Sequence, residues 1–196
     1  MERGCLTEVH YITPLANLPS ILERGLLSHQ RVATIEHVSI ADGDVQDRRR
    51  GKRVPNGRPL HEYVNTYVDA RNPMMFRRRS HRHQLCILRI EPDVLDIPGT
   101  VIADGNAASP FTRFAAAPAG LEMLDEQRVY ATYWTNTDHL AQKEKKRQRC
   151  AEVLVPDRVP VEYIVGCYVC TDGVARACGR IVPDLEVVVS ARVFFG

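Results

Sequence analysis

The stretch CAEVLVPDRVP (residues 150–160) places a single acid at the start of an apolar run. Glu152 is followed by the β-formers VLV and then by Pro156, a pattern that predicts a short, buried strand. The preceding residues 142–149, QKEKKRQR, are almost wholly charged and predict the end of an exposed helix. An acid in this position is either an ordinary strand-edge residue at the surface or a carboxylate that a rigid strand holds for chemistry.

The pattern around this stretch predicts an α+β fold. Strand-like runs outnumber helical ones and do not alternate with them as regular βαβ units, so we expect a mostly antiparallel sheet. Strands are predicted at VHYI (9–12), YVNTYV (63–68), LCILRI (85–90), VEYIVGCYVC (161–170) and LEVVVSARVFF (185–195). Helices are predicted within NLPSILERGLL (17–27), ARNPMMF (70–76), TDHLAQKEKKRQRC (137–150) and DGVARACGRI (172–181).

The chain length of 196 residues predicts a single domain, residues 1–196. Within it, residues 28–60 are polar and show little periodicity, and VQDRRRGKRVPNGRPL (45–60) is typical of a helix end that runs into a loop. A segment of this length without a core pattern is often functional in a compact domain. We therefore expect residues 28–60 to be a loop region that covers a substrate.

Basic residues are concentrated in three runs although the formal net charge is only +2. The runs are RRRGKR (48–53), RRRSHRH (77–83) and KEKKRQR (143–149). If the fold brings them together, they form a positive face that attracts phosphates. The alternative is three unrelated solvated loops, which is the usual interpretation of a single such run.

Several protein classes lose support from the sequence. No apolar run is long enough to span a bilayer and the N-terminus lacks a signal-peptide pattern, so we expect a cytoplasmic protein. Several of the six cysteines lie in strand-like runs, which is typical of reduced, buried thiols. The one C-x-x-C lacks the second cysteine pair or the histidine pair that a zinc site usually needs. The glycine-rich dinucleotide and phosphate loops, H-E-x-x-H and G-x-S-x-G are all missing. We expect no metal.

Glu152 is the strongest candidate for chemistry, and Asp47, Asp104 and Glu162 are the next acids. A carboxylate beside a sugar anomeric carbon stabilises an oxocarbenium-like transition state. His10 on the first strand is by itself more typical of a core residue. The aromatic residues of the segment 67–76 could sandwich a flat ring, but ordinary core packing is the more frequent case. The residues alone thus predict an α+β domain with a basic cleft and acid-assisted sugar chemistry as one possibility.

Six segments in a fixed order carry a resemblance to a known family. They are VHYITPLANLPSILERGLL, VQDRRRGKRVP, LHEYVNTYVDARNPMMF, VIADGNAAS with TRF, YATYW and CAEVLVPDRVP. In this order they resemble the DarT family of DNA ADP-ribosyltransferase toxins, from about residue 9 to residue 195. The resemblance implies an ADP-ribosyltransferase fold with two small, mostly antiparallel sheets around an NAD cleft, and peripheral helices. It also implies transfer of ADP-ribose from NAD+ to a base of single-stranded DNA, with release of nicotinamide.

The resemblance also implies residue roles. Glu152 matches the catalytic glutamate, and Arg49 matches an arginine that polarises the target base or helps to take its proton. Residues that match the NAD-binding segments are His10, Thr13, Asn17, Tyr67, Arg71, Asn72, Met74 and Phe76, with Tyr67 or Phe76 as stacking faces. Val68 stands where the family pattern has a phenylalanine, which weakens the stacking assignment.

The expected partners are single-stranded DNA and an antitoxin that removes the modification, such as a macrodomain protein. The basic runs then serve as tracks for the DNA backbone, with contacts from Arg48, Arg50, Arg53, Arg77, Arg113 and Lys146. Residues 105–114 and the YATYW segment are expected to form part of the DNA-facing wall.

Family members modify thymine or guanine, and guanine is slightly favoured here without a residue-level argument. The alternatives are transfer to RNA or protein, and an inactive nucleic-acid-binding domain. We expect a monomer, since no long exposed apolar stripe is evident.

Overall fold

The computed structural model describes residues 1–196 and confirms the α+β class. The strands are β1 (Val9–Pro14), β2 (Leu26–Leu27), β3 (Tyr63–Tyr67), β4 (Leu85–Ile90), β5 (Val101–Ala103), β6 (Phe114–Ala116), β7 (Glu152–Pro156), β8 (Arg158–Val159), β9 (Ile164–Val169) and β10 (Val187–Val189). The helices are α1 (Leu18–Arg24), α2 (His29–Val32), α3 (Gly43–Arg50), α4 (Pro73–Arg78), α5 (Glu126–Val129), α6 (His139–Gln148) and α7 (Asp172–Ile181). Short 3-10 turns connect several of these elements.

Eight strands form one large sheet in the order β10-β9-β4-β1-β3-β7-β5-β6, and β2 and β8 form a separate pair. Every pairing is antiparallel except that of β10 with β9, as the sequence predicted for a mostly antiparallel sheet. The strands are divided as eight and two rather than as two small sheets. No helix is both long enough and apolar enough to cross a membrane.

The predicted strand at residues 152–156 is confirmed as β7, and all five of its residues are buried. Strands β3 and β5 flank β7, with Tyr67 and Ala103 directly opposite Glu152. His10 on β1 lies opposite Tyr67 in turn. The first residue of β7 is therefore fixed by pairing on both sides, and the Glu152 side chain, only 2% exposed, is not a surface strand-edge acid.

Two predicted segments differ from the structure. The strand expected at residues 185–195 exists only as β10, and a 3-10 turn, Ala191–Phe194, replaces its second half. Phe194 is buried in that turn because the chain folds back onto the core instead of extending the sheet edge. Residues 28–60 are not simply a loop, since they contain α2 and α3. The sequence of α3 shows no amphipathic pattern, because nearly all residues of this helix are polar.

The core explains the cysteine pattern. A cluster of 33 buried apolar residues fills the space between the large sheet and its helices. All six cysteines are free, and every one except Cys5 is buried. Burial raises the pKa of the Cys150 thiol to about 12, so this cysteine beside β7 remains protonated at neutral pH.

Arg149 anchors the end of α6 directly before β7. Its side chain is 1% exposed, and its Nη1 lies 2.6 Å from Asp69 Oδ2. It also donates to the backbone carbonyls of Val129 and Arg71. Helix α6, which the sequence predicted to be exposed, is thus followed by a buried cation. The contacts of Arg149 hold the backbone in place directly before β7.

Arg149→Ala is expected to lower the free energy of unfolding by about 3–5 kcal/mol, because it leaves the Asp69 carboxylate without its buried partner. Arg50→Ala is the matched control, since Arg50 makes only an exposed ion pair with Asp47. That variant should cost about 0–1 kcal/mol. Chemical denaturation of both variants checks the prediction, and equal losses would contradict the anchoring role.

Candidate active site

A cavity of about 500 Å³ opens between the middle of the large sheet and helices α1, α2 and α3. This volume lies in the range of about 300–1,000 Å³ that is typical of small-molecule and cofactor sites. Tyr11 on β1, Asn65 on β3 and Glu152 on β7 line its floor. Residues 28–60 contribute much of the opposite wall, consistent with the expectation of a covering segment.

Glu152 and Arg49 form a buried ion pair at the cavity wall. Arg49 Nη1 lies 3.0 Å from Glu152 Oε2 and 3.4 Å from Oε1, and both side chains are at most 4% exposed. The backbone N–H of Ala107 donates to Glu152 Oε1 at 2.9 Å. The carboxylate is therefore held by two elements besides its own strand.

The N-terminus of helix α3, the helix that carries Arg49 to Glu152, is held by Asp42. The Asp42 side chain accepts from the backbone N–H of Val45 and caps the N-terminus of α3, which satisfies one of its free donors. Asp42 also pairs with Arg77 at 2.7 Å and so connects α3 to α4. Of the three consecutive arginines that end α3, only Arg49 is buried.

Three buried polar atoms of the cavity wall have no hydrogen-bond partner within the protein. They are Gln46 Oε1, Arg49 Nη2 and His61 Nε2. An unsatisfied buried polar group costs about 1–3 kcal/mol, so a native site retains such groups where a ligand or water completes them. The wall thus offers one cationic donor and two further polar atoms to a ligand.

His29 and His61 stand together at this wall, with ring centroids 4.2 Å apart. Burial lowers the pKa of both rings, and nearby cationic groups, including Arg49, lower it further. Both rings are therefore neutral at pH 7. No sequence pattern indicates this pair, because the two histidines are distant in the chain.

The stability of the protein should fall as the pH drops below the ordinary histidine pKa of about 6.5. Below that pH the unfolded chain binds a proton at His61 while the folded protein does not. The stability that comes from neutral His61 is therefore fully present above that pH, and it is lost as the pH falls towards the lower pKa of His61 in the folded protein. Denaturation of the wild type and of His61→Phe at pH 7.5 and at pH 5.5 checks this. The wild type should lose more stability than the variant, and equal losses would contradict a neutral His61.

Four of the residues expected to bind NAD line the cavity, namely Thr13, Asn17, Tyr67 and Met74. Asn17 donates from Nδ2 to Thr13 Oγ1 at 3.2 Å, and it exchanges hydrogen bonds with the backbone of Val38. Burial and the nearby Glu152 carboxylate raise the pKa of Tyr67 well above its usual value, so its hydroxyl remains a donor.

His10 does not line the cavity. Its Nε2 lies 3.4 Å from Glu8 Oε2, and its ring stacks on that of Tyr168. Burial opposes the ionised form of Glu8, but hydrogen bonds from His10, Arg89 and Tyr168 outweigh this and lower its pKa to about 2. The structure therefore places His10 in a buried polar network beside the site.

Arg71, Asn72 and Phe76 also lie away from the cavity. Asn72 Oδ1 caps α4 by accepting from two backbone N–H groups. Phe76 packs edge-on against Trp134 and Phe195 instead of facing the cleft. Arg71 lies over the Phe195 ring and donates to two backbone carbonyls. The aromatic residue of the segment 67–76 that reaches the cavity is Tyr67.

The fold brings the three basic runs to one rim of the cavity. Arg48, Arg77 and Lys146 line it, one from each run. Arg50 and Arg53 are exposed outside it, in contact with Asp47 and with the carbonyl of Gly57. Arg113 also lies outside and pairs with Asp104 at 2.7 Å. The interpretation of the runs as three unrelated loops is therefore not supported.

The structure adds cavity residues that the sequence indicated only as members of longer segments, the basic run 143–149 and the expected DNA-facing segment 105–114. Lys143 and Arg147 extend the basic rim along α6, and Asn106 and Ser109 line the cavity from the loop after β5. Lys52 donates to the carbonyl of Ser109 and joins this loop to the end of α3. No group of three or more His, Cys, Asp or Glu side chains is placed to hold a metal ion.

Comparison with solved structures defines the class of protein. The chain matches Thermosipho africanus DarTG in complex with ADP-ribose with a TM-score of 0.82 and 28% identity, over 96% of this chain and 51% of that one. It matches Thermus sp. 2.9 DarT in complex with ADP-ribosylated ssDNA with a TM-score of 0.84 and 25% identity, over 96% of each chain. With its cleft, buried acid and paired arginine, the fold is that of an ADP-ribosyltransferase.

The family follows from sequence comparison. Residues 10–193 match the family model described as "ssDNA thymidine ADP-ribosyltransferase, DarT". A Thermus aquaticus DNA ADP-ribosyl transferase is 33% identical over 171 residues, covering 81% of this chain and 72% of the relative. A Thermosipho africanus DNA ADP-ribosyl transferase–glycohydrolase fusion protein is 31% identical over 198 residues, and the chain spans about half (49%) of its length. The chain belongs to the DarT family of DNA ADP-ribosyltransferases.

Proposed function

We propose that this protein transfers ADP-ribose from NAD+ to a base of single-stranded DNA and releases nicotinamide. The observation that carries the proposal is the buried pair of Glu152 with Arg49 at the wall of a cavity of about 500 Å³ with a basic rim. Solved relatives support the two ligands, since they include complexes with ADP-ribose, NAD+ and ADP-ribosylated ssDNA.

In this proposal Glu152 acts on the ribose that carries nicotinamide. Its carboxylate accepts a hydrogen bond from the ribose 2′-hydroxyl and stabilises the oxocarbenium-like transition state as the bond to nicotinamide breaks. Nicotinamide leaves as a neutral molecule with the bonding electron pair. A nitrogen of the DNA base then forms the new bond to the anomeric carbon, and the carboxylate takes the proton that the base loses.

Arg49 serves the acceptor base. Arginine keeps its charge at all relevant pH values, so it does not take the proton itself but stabilises the charge that develops on the base carbonyl. Its Nη1 contacts Glu152, and we propose that Nη2, which is buried and has no partner within the protein, donates to the base. One guanidinium thus links the acid to the acceptor.

We propose thymine as the target base, because the family description names thymidine. The guanine preference expected from the sequence has no residue-level support. The rim cations Arg48, Arg77 and Lys146 are proposed to contact the DNA backbone, where every phosphate is a target irrespective of sequence. Single-stranded DNA also removes the cost of extruding the base from a duplex.

The relative that fuses a DNA ADP-ribosyl transferase with a glycohydrolase supports the proposal of a toxin role and of an antitoxin partner. We propose that this chain, a single catalytic domain over residues 1–196, modifies DNA as a toxin and that a macrodomain or similar glycohydrolase reverses the modification. We also propose that it works as a cytoplasmic monomer.

Four oligonucleotides that each lack one base test the acceptor. The protein is incubated with NAD+ and each oligonucleotide, and the DNA is weighed by mass spectrometry. We expect one ADP-ribosyl adduct on every oligonucleotide except the one without thymine. Loss of the adduct only without guanine would assign guanine instead. NAD+ cleavage without any DNA adduct would favour an RNA or protein acceptor, and no NAD+ turnover at all would favour a nucleic-acid-binding domain.

A further inference from the structure

The position of Glu152 depends on a loop that is remote from it in sequence. This loop, residues 104–113, connects β5 to β6 and is called here the 104–113 loop. Its fully buried Ala107 donates a backbone hydrogen bond of 2.9 Å to Glu152 Oε1. A backbone N–H cannot rotate as a side chain can. The direction of the Ala107 N–H is therefore set by the contacts that hold the 104–113 loop in place.

Arg147 on α6 holds the 104–113 loop at several points. Its Nη1 donates to Asp104 Oδ1 at 2.6 Å and to Thr112 Oγ1 at 3.3 Å. Its carbonyl accepts from the backbone N–H of Asn106 at 3.0 Å. These contacts bracket Ala107 on both sides in the chain.

Gly105 shows how closely Arg147 approaches the loop. A Cβ added at this glycine would lie 2.5 Å from Arg147 Nη1 and 2.8 Å from the Arg147 carbonyl oxygen. Both distances are shorter than real Cβ contacts, and one of the two atoms is backbone. Any side chain at position 105 would therefore push the 104–113 loop away from α6.

The contact between Arg147 and Asp104 is shielded from water. The side chains are 9% and 5% exposed, so the charges are weakly screened. Burial disfavours the Asp104 carboxylate, yet hydrogen bonds from Arg147 and Arg113 outweigh it and keep the pKa of Asp104 below its usual value. The pair remains ionised at neutral pH.

We propose that Arg147 is a positioning residue for the transfer reaction. It holds the 104–113 loop so that the Ala107 N–H fixes the Glu152 carboxylate beside the reacting ribose. The proposal rests on the proposed function, in which Glu152 acts on NAD+. It assigns Arg147 a role distinct from that of the neighbouring rim cations, whose proposed role is to contact the DNA backbone.

Two variants test the role from opposite sides of the contact. Arg147→Met removes the donors to Asp104 and Thr112, and Gly105→Ala displaces the loop while it leaves the Arg147 charge in place. Each should lower kcat for transfer by about 10²-fold, because a misplacement of about 1 Å costs this much. The dissociation constant for NAD+ should not change, and Arg147→Lys should recover part of the lost rate.

Glu144→Gln is the matched control. Glu144 pairs with the Nη2 of Arg147 on the side away from the loop, at 2.7 Å. Its loss leaves the contacts to Asp104 and Thr112 intact, so kcat should remain close to that of the wild type.

Hydrogen exchange of the Ala107 amide, followed by NMR, gives a readout that needs no activity. It should be slow in the wild type and much faster in Arg147→Met. An unchanged exchange rate would overturn the proposal, and so would a variant with normal kcat and a raised KM for DNA. An inactive wild type would instead count against the proposed function, and the exchange measurement would still decide the role of Arg147.

Discussion

Glu152→Gln is expected to lower the rate of ADP-ribose transfer by about 10²–10⁴-fold, the range for loss of a group that moves a proton and stabilises charge. Glutamine retains the shape of the side chain and an oxygen that can accept from Ala107, as Glu152 Oε1 does at 2.9 Å. It carries no negative charge to stabilise the ribosyl cation and cannot take the proton of the base. Initial rates of adduct formation on a thymine-containing oligonucleotide measure the effect.

Glu162→Gln is the matched control for this prediction. Glu162 is exposed in the turn before β9 and does not line the cavity. This variant should transfer ADP-ribose at the wild-type rate. A folded Glu152→Gln protein with a rate within a few-fold of the wild type would remove Glu152 from the mechanism, and Glu36 and Asp42 would then be the remaining acids that line the cavity.

Arg49→Ala is expected to have two large effects. It leaves the Glu152 carboxylate buried without its cation, which should lower the free energy of unfolding by about 3–5 kcal/mol. It also removes the donor to the base, which should slow transfer to DNA by about 10²–10³-fold. Hydrolysis of NAD+ should be much less affected, since water needs no activation by Arg49. Chemical denaturation and parallel assays of DNA adduct and free ADP-ribose measure these effects.

Arg49→Lys separates the two effects of Arg49. Lysine can still pair with Glu152, so most of the stability should return, but it lacks the planar fork that reaches both the acid and the base. Transfer should therefore remain low. Arg48→Ala, the neighbour at the cavity rim, should raise KM for DNA and leave kcat unchanged. Equal loss of transfer and NAD+ hydrolysis in Arg49→Ala would contradict its role at the base.

Much of the fold was predictable because its elements carry local signals. The alternation of YVNTYV and the apolar run LCILRI predicted β3 and β4, and the helix predicted within residues 17–27 is α1. The prediction for the segment 185–195 was wrong because its β-formers lie in a chain reversal whose turn is stabilised by tertiary contacts, namely the burial of Phe194 and the hydrogen bond from Arg71 to the Arg192 carbonyl. Helix α3 is held by its cap and by the burial of Arg49, which no hydrophobic period reveals.

The candidate site was predictable in part. The resemblance selected Glu152 and Arg49, which the structure places 3.0 Å apart. It could not show that His10 and Phe76 point elsewhere, because a matched segment fixes a position in the chain and not the direction of a side chain. The contact from Ala107 was equally hidden, since any residue could supply that backbone N–H. Arg147 belongs to a charged run whose members look alike until burial distinguishes them.

The most direct test of this account is an intact-mass measurement of one thymine-containing single-stranded oligonucleotide after incubation with NAD+ and the wild-type protein, with nicotinamide measured in the same sample. We expect one ADP-ribosyl group on the DNA for each nicotinamide released, and about 10²–10⁴-fold slower formation of both products with Glu152→Gln. Unmodified DNA beside a wild-type protein that binds NAD+ would contradict the assignment of this cleft to DNA modification.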